Sequence, residues 1–390
     1  MADAGTAGRR DLTVGPIAPT LLAFALPTLG SSALQSLNGS VNAIWVGRVL
    51  GEEALAATTN GNLVMFLLMA FVFGFGMAAT ILIGQAFGQR DIGGARRVMG
   101  TALASFVALA TTVAGYVSLT GMIAYIYVRD LPLRLRGREL RFLRPDLPLL
   151  KIIVTKGLPM GLQMIVISSS ALAMLGLVNQ HGVQVTAAYG VTQQLWTYVQ
   201  MPAMALGAAV SAMAAQNIGA GHWDRVAKIT RTGVLFSLAM TGALIVILTL
   251  ADRAVLGLFL GGDSAAMPIA RHIQLIATWG FLFFGVGLVL FGTMRANGEV
   301  VGPLIIMFIA MYPVRLGFAL GTRDWLGLDA LWLSFPAGMV ATSIMAVALY
   351  LQGGWKRRTM SPTMERPDEI ECREQAEAAR EPGGALSPAG

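Results

Sequence analysis

The sequence predicts an all-α, polytopic helical membrane protein made of two pseudo-symmetric helical lobes, with about 9–10 transmembrane helices. Three observations support this class. The chain is 55% hydrophobic and only 13% charged, with a mean hydropathy of +0.65, whereas soluble domains carry roughly 25% charged residues. Segments 54–89, 98–128 and 157–223 contain no Asp, Glu, Lys or Arg, and a membrane crossing needs only about 20 residues. The third observation is an internal repeat.

Residues 74–97 and 205–228 carry the same pattern at a constant offset of 131. An apolar chain that repeats itself is typical of a two-lobed membrane transporter, in which each lobe is one copy of a helical bundle. The matched pairs are Gly76 with Gly207, Ala78 with Ala209, Gln85 with Gln216, Gly88 with Gly219 and Arg97 with Lys228.

Apolar runs place the predicted spans in chain order, with three in the first repeat and six in the second. The predicted spans are 17–46, 54–86, 98–128, 148–179, 186–217, 226–250, 268–294, 301–322 and 330–352. The resulting organisation is a polar lead at 1–15, a first lobe at 16–128, a basic loop at 129–147, a second lobe at 148–355 and a tail at 356–390. The tail is rich in Glu, Pro, Ala and Gly, so we expect it to be disordered.

Clusters of Lys and Arg between the spans orient the chain, because cytoplasmic loops carry the excess of basic residues. This rule places both termini on the cytoplasmic side of the membrane. Segment 98–128 has a basic cluster on both sides, which is satisfied either by a re-entrant hairpin or by one long helix with an unfavourable flank. The same distribution argues against a nucleic-acid partner, and the single cysteine, Cys372, excludes an intrachain disulfide.

Several motifs resemble the multidrug and toxic compound extrusion (MATE) transporters, including the NorM-like and DinF-like groups. They are WVGRVLGEEALAA at 45–57, GFGMAATILIGQAFGQRD at 74–91, KGLPMGLQ at 156–163, TMRANGEVVGP at 293–303 and GGWKRR at 353–358. The resemblance implies two six-helix lobes and the exchange of cationic drugs for protons or sodium ions. This chain is shorter than that pattern by about two helices in the first lobe, so it is expected either to be a shortened carrier or to have lost transport.

No Asp or Glu falls inside a predicted span, although transporters that couple to ions often keep a buried acid. In DinF-like relatives a proline on the first helix is followed fifteen residues later by an acid, and here Pro27 is followed by Asn42. NorM-like relatives use acids on the seventh and tenth helices, where this chain has Gln163 but no carboxylate. Either neutral polar groups couple transport to an ion or the coupling is lost.

Polar and aromatic side chains within the spans are the candidate substrate and ion pathway, because amides in a bilayer need either a partner helix or a wet cavity. Arg315 is a candidate because a cation inside a span is functional by default, although it has the alternatives of snorkelling outward or pairing with Asp324. The mid-helix prolines Pro27 and Pro159 are predicted kinks. The pathway candidates are Gln35, Asn38, Asn42, Gln163, Asn179, Gln194, Trp196, Tyr198 and Arg315.

The sequence therefore favours a secondary-active multidrug efflux transporter that exports cationic lipophilic compounds in exchange for protons or sodium ions. We expect it to be a monomer in the lipid bilayer, with no cofactor, no metal site and no enzymatic activity. Two alternatives remain open at this stage. One is a non-transporting remnant of such a carrier, and the other is a flippase for lipid-linked precursors, which would need several basic residues within its helices.

Overall fold

The computed structural model describes residues 12–49, 73–109, 146–260 and 265–358, and all regular structure within these ranges is helical. Six of the described helices are long and apolar enough to cross a membrane, and a bent pair of shorter helices makes a seventh. An all-helical bundle is what a bilayer requires, because every backbone N–H and C=O in a helix is bonded within its own segment. The predicted fold class is thus confirmed.

The first lobe contributes three described helices, α1 (Ile17–Val49), α2 (Phe73–Gly88) and α3 (Ile92–Leu109). The second lobe begins with α4 (Leu147–Asn179), α5 (Val183–Gly219) and α6 (Trp223–Leu250). It continues with α7 (Asp252–Leu260), α8 (Ala266–Ala277), α9 (Gly280–Ala296) and α10 (Val301–Ile309). After a π-helical turn (Ala310–Leu316) come α11 (Gly317–Gly321), α12 (Arg323–Leu326) and α13 (Asp329–Gln352).

Helix ends follow local chemistry. Asp146 caps α4 by accepting a hydrogen bond from the Leu149 amide at 3.4 Å, which satisfies one of the free N–H groups of the first turn. At its C-terminal end, α13 stops where Gly353 adopts a left-handed conformation at φ 71°. Glycine tolerates this backbone state best. The chain then closes with a short 3₁₀ turn at Gly354–Arg357.

The structure adds three details to the predicted spans. The span expected at 268–294 consists of α8 and α9, which meet at a bend of 48°. The span expected at 301–322 contains the π-helical turn around Pro313, because proline removes one backbone donor and forces the helix to widen locally. The short helix α7 was not predicted. The re-entrant hairpin, the basic loop and most of the tail lie outside the described residues.

The core of the second lobe forms around α9, which packs against α5, α6 and α13. Gly207 on α5 and Gly292 on α9 allow the two backbones to touch, since a Cβ at Gly292 would lie 2.4 Å from the carbonyl oxygen of Gly207. Close approach at small residues is the usual way that membrane helices associate, because lipid provides little hydrophobic drive between them. These contacts hold the helices that carry the candidate site.

The two lobes meet at the end of the bundle that carries Arg90, Arg225 and Lys356, which we call the basic end. Here Leu21 and Ala25 of α1 are buried with residues of α5, and α2 lies against the last turns of α5. The contacts of α2 with the end of α5 lie at the basic end. Further along its length α2 also meets α4, where a Cβ at Gly74 would lie 2.2 Å from the carbonyl oxygen of Gly157.

Candidate functional site

Arg315 lies inside the second lobe in an aromatic enclosure. Its side chain is buried, and the guanidinium carbon is 3.8 Å from the centre of the Phe335 ring. The Tyr189 hydroxyl interacts electrostatically with it without the geometry of a hydrogen bond, and the Met311 sulfur accepts a weak contact at 3.7 Å. Arg315 neither snorkels outward nor pairs with Asp324 in this structure, so these two alternatives were wrong.

The aromatic enclosure extends along α5 and α13. Trp196 lies 4.7 Å from Phe335 and 6.3 Å from Tyr189, measured between ring centroids, while Trp332 stacks on Tyr189 at 6.0 Å. Trp196 also donates its indole N–H to the Thr278 hydroxyl at 2.9 Å. The electron-rich ring faces partly replace the water that a buried guanidinium has lost.

No described carboxylate lies beside Arg315, and its Nε has no acceptor. Two described acids near the opposite end of the bundle have other partners. Asp252 binds Arg271 at 2.5 Å, and Asp329 lies 2.7 Å from His272. A buried cation without a counter-ion is unfavourable in a membrane, so its presence calls for a functional explanation.

The π-helical turn provides the local frame for Arg315. Its irregular backbone frees carbonyl groups, and two serines of α4 contact the turn, one at a carbonyl and the other at a side-chain hydroxyl. Ser170 donates to the carbonyl of Met311 at 3.2 Å, and Ser169 shares a hydrogen bond of 2.6 Å with the Tyr312 hydroxyl. Irregular backbone at membrane depth is tolerated where such partners surround it, and π-turns are frequent at functional positions.

A second polar network lies at the basic end and joins three motifs that are far apart in the sequence. Lys156 of α4 donates to the carbonyl of Gly298 at 2.9 Å. Gln163 accepts a hydrogen bond from Arg295 and donates to the carbonyl of Val300 at 3.2 Å. Glu299 pairs with Arg358 at 3.2 Å. Both Lys156 and Arg295 belong to helices, so Arg315 is not the only basic residue within the described spans.

Asn297 ties the end of the second lobe to this network. Its side-chain amide is buried and donates to the carbonyls of Trp355 and Lys356 at 2.9 and 3.1 Å. Trp355 is itself buried and stacks on Tyr350 at 5.3 Å. The short 3₁₀ turn after α13 is thereby fastened to the loop between α9 and α10.

Replacing Asn297 by alanine should lower the thermal unfolding temperature in detergent, because two buried carbonyls lose their donors at about 1 kcal/mol or more each. Asn179→Ala is the matched control, since Asn179 is exposed and only accepts a 3.2 Å bond from Thr186. We expect the control to change stability by less than about 0.5 kcal/mol. Equal shifts for the two variants would contradict this role for Asn297.

The predicted pathway residues are distributed over three regions. Gln35, Asn38 and Asn42 belong to α1, but their side chains lie outside the described part. Gln163 belongs to the basic-end network, while Asn179 is exposed near the opposite end. Trp196 lines the aromatic enclosure, and Gln194 and Tyr198 are half-buried on the same helix. Pro27 and Pro159 lie within α1 and α4.

Among the predicted residues whose side chains the structure describes, only Trp196 and Arg315 meet in one place. Sequence reasoning missed Tyr189 and Phe335, which complete that enclosure. Tyr189 lies in the TAAYGV motif at 186–191, and this motif was the available signal. Phe335 directly precedes Pro336 in an otherwise apolar run, and nothing in that pattern distinguishes it from a lipid-facing residue. Within the described residues, no group of three or more His, Cys, Asp or Glu side chains is placed to hold a metal ion.

These features define a multi-pass helical membrane protein with two lobes. The family model MatE matches residues 27–139 and 159–320. The chain therefore belongs to the MATE family of transporters.

Curated relatives agree with this assignment. The chain is 28% identical to the probable multidrug resistance protein YoeA of Bacillus subtilis, over 87% of this chain and 94% of the relative. It is 23% identical to the probable multidrug resistance protein NorM of Thermotoga maritima, over 67% of this chain and 56% of that relative. The alignment with YoeA spans 437 positions and is longer than the 390-residue chain, so it contains gaps on this chain's side.

Solved structures support the fold. A MATE transporter in the straight conformation superposes with a TM-score of 0.76 at 16% identity, over 88% of this chain and 97% of that one. The outward-facing conformation of a multidrug resistance MATE family transporter superposes with a TM-score of 0.73 at 15% identity, over 91% of this chain and 100% of that one. A transporter from Pyrococcus furiosus, described as having a binding pocket of reverse polarity, gives a TM-score of 0.77 at 16% identity, over 91% of this chain and 100% of that one.

Proposed function

We propose that this protein is a secondary-active efflux carrier that exports lipophilic drug-like compounds across a bacterial inner membrane. The basic end faces the cytoplasm in this proposal, because basic residues concentrate on that side of membrane proteins. Both termini are then cytoplasmic, and the carrier works as a monomer whose lobes rock about a central cleft.

The observation that carries this proposal is the placement of the lobe contacts. Among the described residues, α2 and the end of α5 approach each other through glycines at the basic end. Two bundles that touch near one membrane face can separate there and close at the other face, and this is the geometry of alternating access. An enzyme or a purely structural anchor has no need of such an arrangement.

The carrier is proposed to exchange cationic compounds for protons or sodium ions, as the family resemblance implies. Arg315 favours a second candidate, in which the exported compounds are zwitterionic or carry a carboxylate. An uncompensated guanidinium repels a cation that enters the second lobe, and in a medium of low dielectric constant this repulsion is strong. A carboxylate would instead meet the fork of donors that arginine presents.

Ethidium and norfloxacin separate the two candidates, because ethidium is a permanent cation and norfloxacin carries a carboxylate and an amine. Both compounds should accumulate less in efflux-deficient cells that express the chain if cations are the substrates. Only norfloxacin should be excluded if Arg315 selects for a carboxylate. Unchanged accumulation of both, with confirmed expression in the membrane, would contradict the proposed export.

A non-transporting remnant remains the main alternative function. Gaps in the alignment with YoeA support it, as does the lack of acids in the middle of the described spans. A remnant would show no ligand-induced thermal shift, whereas a carrier should be stabilised in detergent by norfloxacin or ethidium. A flippase would need several basic residues within its helices, and Lys156 and Arg295 are two such residues. Both side chains, however, bond within the basic-end network.

A further inference from the structure

We propose that the repeated segments Gln85–Gly88 and Gln216–Gly219 form a lock that closes the cytoplasmic side of the carrier. In this lock Gln85 bonds to the second lobe, Gln216 bonds to the segment that leads into α1, and each glycine lets α2 and α5 touch. The four residues act as positioning residues for transport, because they hold the lobes in the arrangement that opens away from the cytoplasm. This inference rests on the proposed function and orientation.

The glycine contacts are reciprocal. A Cβ at Gly88 would lie 1.9 Å from the carbonyl oxygen of Gln216, and a Cβ at Gly219 would lie 2.1 Å from the carbonyl oxygen of Gln85. Gly88 and Gly219 are matched positions of the repeat, as are Gln85 and Gln216, so the two contacts are equivalent. When the same two positions contact each other in both directions, the interface has a two-fold axis. A pseudo-two-fold axis therefore passes between α2 and α5.

Only glycine permits this approach. A side-chain carbon at 1.9 or 2.1 Å from a backbone oxygen is impossible, and relief requires that the helices move apart. One turn earlier the packing is still tight, because a Cβ at Gly84 would lie 3.0 Å from the Cβ of Ala215. The contact therefore extends along about one turn of both helices.

Gln85 bonds from the first lobe to the second. Its side chain is buried, and Nε2 donates to the carbonyl of Ala296 at 2.6 Å. Ala296 is the last residue of α9, where carbonyl groups lack partners within the helix. The amide thus satisfies a free acceptor on the opposite lobe, and separation of the lobes would break this bond.

Gln216 makes the corresponding link from the second lobe to the segment that leads into α1. Its Oε1 accepts from the backbone N–H of Leu12 at 3.1 Å. The neighbouring Asn217 donates to the carbonyl of Leu12 at 3.0 Å, and Arg225 donates to the carbonyl of Gly15 at 3.1 Å. The short segment that leads into α1 is thereby held on the second lobe.

The Leu12 side chain strengthens this attachment. It is 2% exposed and packs in a cluster with Val210 and Met213 of α5 and Ile229 of α6. The segment that leads into α1 thus places one apolar side chain in the second lobe, directly beside the polar bonds. Both polar and apolar contacts must be released when the cytoplasmic side opens.

Glycines and basic residues at a helix end often serve a tight return of the chain near lipid headgroups. The cross-lobe bonds are not explained by a return loop. A loop role requires contacts within one lobe, whereas Gln85 bonds to the second lobe and Gln216 bonds to the segment that leads into α1. Their equivalent positions in the repeat indicate that the two halves close on each other through one duplicated element.

A disulfide placed in the contact tests the lock directly. Gly84→Cys and Ala215→Cys are combined in a Cys372→Ser background, because a Cβ separation near 3.0 Å is close to the roughly 3.5–4.5 Å of a disulfide. Oxidation of the purified full-length protein in proteoliposomes should cross-link it and stop norfloxacin transport. Addition of a reductant should restore transport. Continued transport by fully cross-linked protein would overturn the proposal.

The rate of cross-linking measures how often the lock is closed. Gln85→Met and Gln216→Met together should lower this rate by about tenfold, since each variant removes one hydrogen bond of the lock. Gln193→Met is the matched control on α5, because Gln193 is exposed, and it should leave the rate unchanged. The rate is measured on the folded monomeric fraction, so a loss of expression does not imitate the effect.

Gly88→Ala, introduced separately, should reduce cross-linking in the same way by keeping the helices apart. A cross-linking rate that does not respond to the two glutamines or to Gly88 would overturn the lock. The protein without these substitutions can fail to transport both norfloxacin and ethidium while its cross-linking still depends on the glutamines. This result would refute the proposed export and support the closure of the lobes.

Discussion

Gly292→Ala is expected to destabilise the second lobe by about 2–3 kcal/mol, which is the upper part of the range for overpacked cores. The added methyl group would lie 2.4 Å from the carbonyl oxygen of Gly207, and backbone cannot rotate away as a side chain can. The helices α5 and α9 must then separate along the centre of the lobe. Thermal unfolding of the purified protein in detergent measures the change.

Gly176→Ala is the control for this substitution. Gly176 lies within α4, and a Cβ there would meet no atom within 4 Å. Alanine also favours the helical state over glycine by up to about 1 kcal/mol, so the control should be neutral or slightly stabilising. A Gly292→Ala protein that unfolds at the same temperature as the control would show that the contact between α5 and α9 contributes little to stability.

Arg315→Met is expected to lower transport of norfloxacin by at least about tenfold while stability is kept or raised. A charge without a counter-ion destabilises the protein by about 2.5–3.5 kcal/mol at the centre of a span. The contact with Phe335 offsets about 2 kcal/mol of this. Methionine fills similar space without the charge, so the folded state should gain free energy while the proposed carboxylate-binding group is lost.

Arg271→Met is the control, because it removes an arginine that has a carboxylate partner. Arg271 pairs with Asp252, whose side chain is only 11% exposed, so its loss leaves a partly buried carboxylate without a partner. We expect lower thermal stability and unchanged transport per folded molecule. Arg315→Lys is a further test, because lysine keeps the charge but not the planar fork. Arg315→Met could instead lower stability and reduce transport only as much as it reduces the amount of folded protein. This result would mean that Arg315 serves packing and not substrate binding.

Much of the architecture could be predicted from composition and periodicity. The window 157–223 lacks charge, and the structure divides it between α4 and α5. Membrane helices are predictable because the bilayer demands long apolar segments with all backbone groups bonded internally. The bend between α8 and α9 was not predicted, because it depends on how neighbouring helices pack and not on local propensity.

The candidate site was much less predictable. Arg315 stood out in the sequence because a charge inside an apolar run is rare. Its aromatic neighbours Tyr189 and Phe335 did not stand out, because their distance from Arg315 along the sequence does not indicate that they contact it. Gln163 likewise looked like a pathway residue, and the structure shows it bound to Arg295 and to the backbone of Val300.

The sequence by itself determined the class of protein, the duplication and the positions of the membrane helices, because hydrophobicity and repetition are properties of the linear chain. Only the tertiary structure decided that the duplicated glutamines bond to distant segments and that Arg315 faces aromatic rings instead of an acid. The physical reason is that contacts between distant segments depend on how the helices dock. Docking depends on glycines that let backbones touch, and no local pattern records which backbone each glycine will meet.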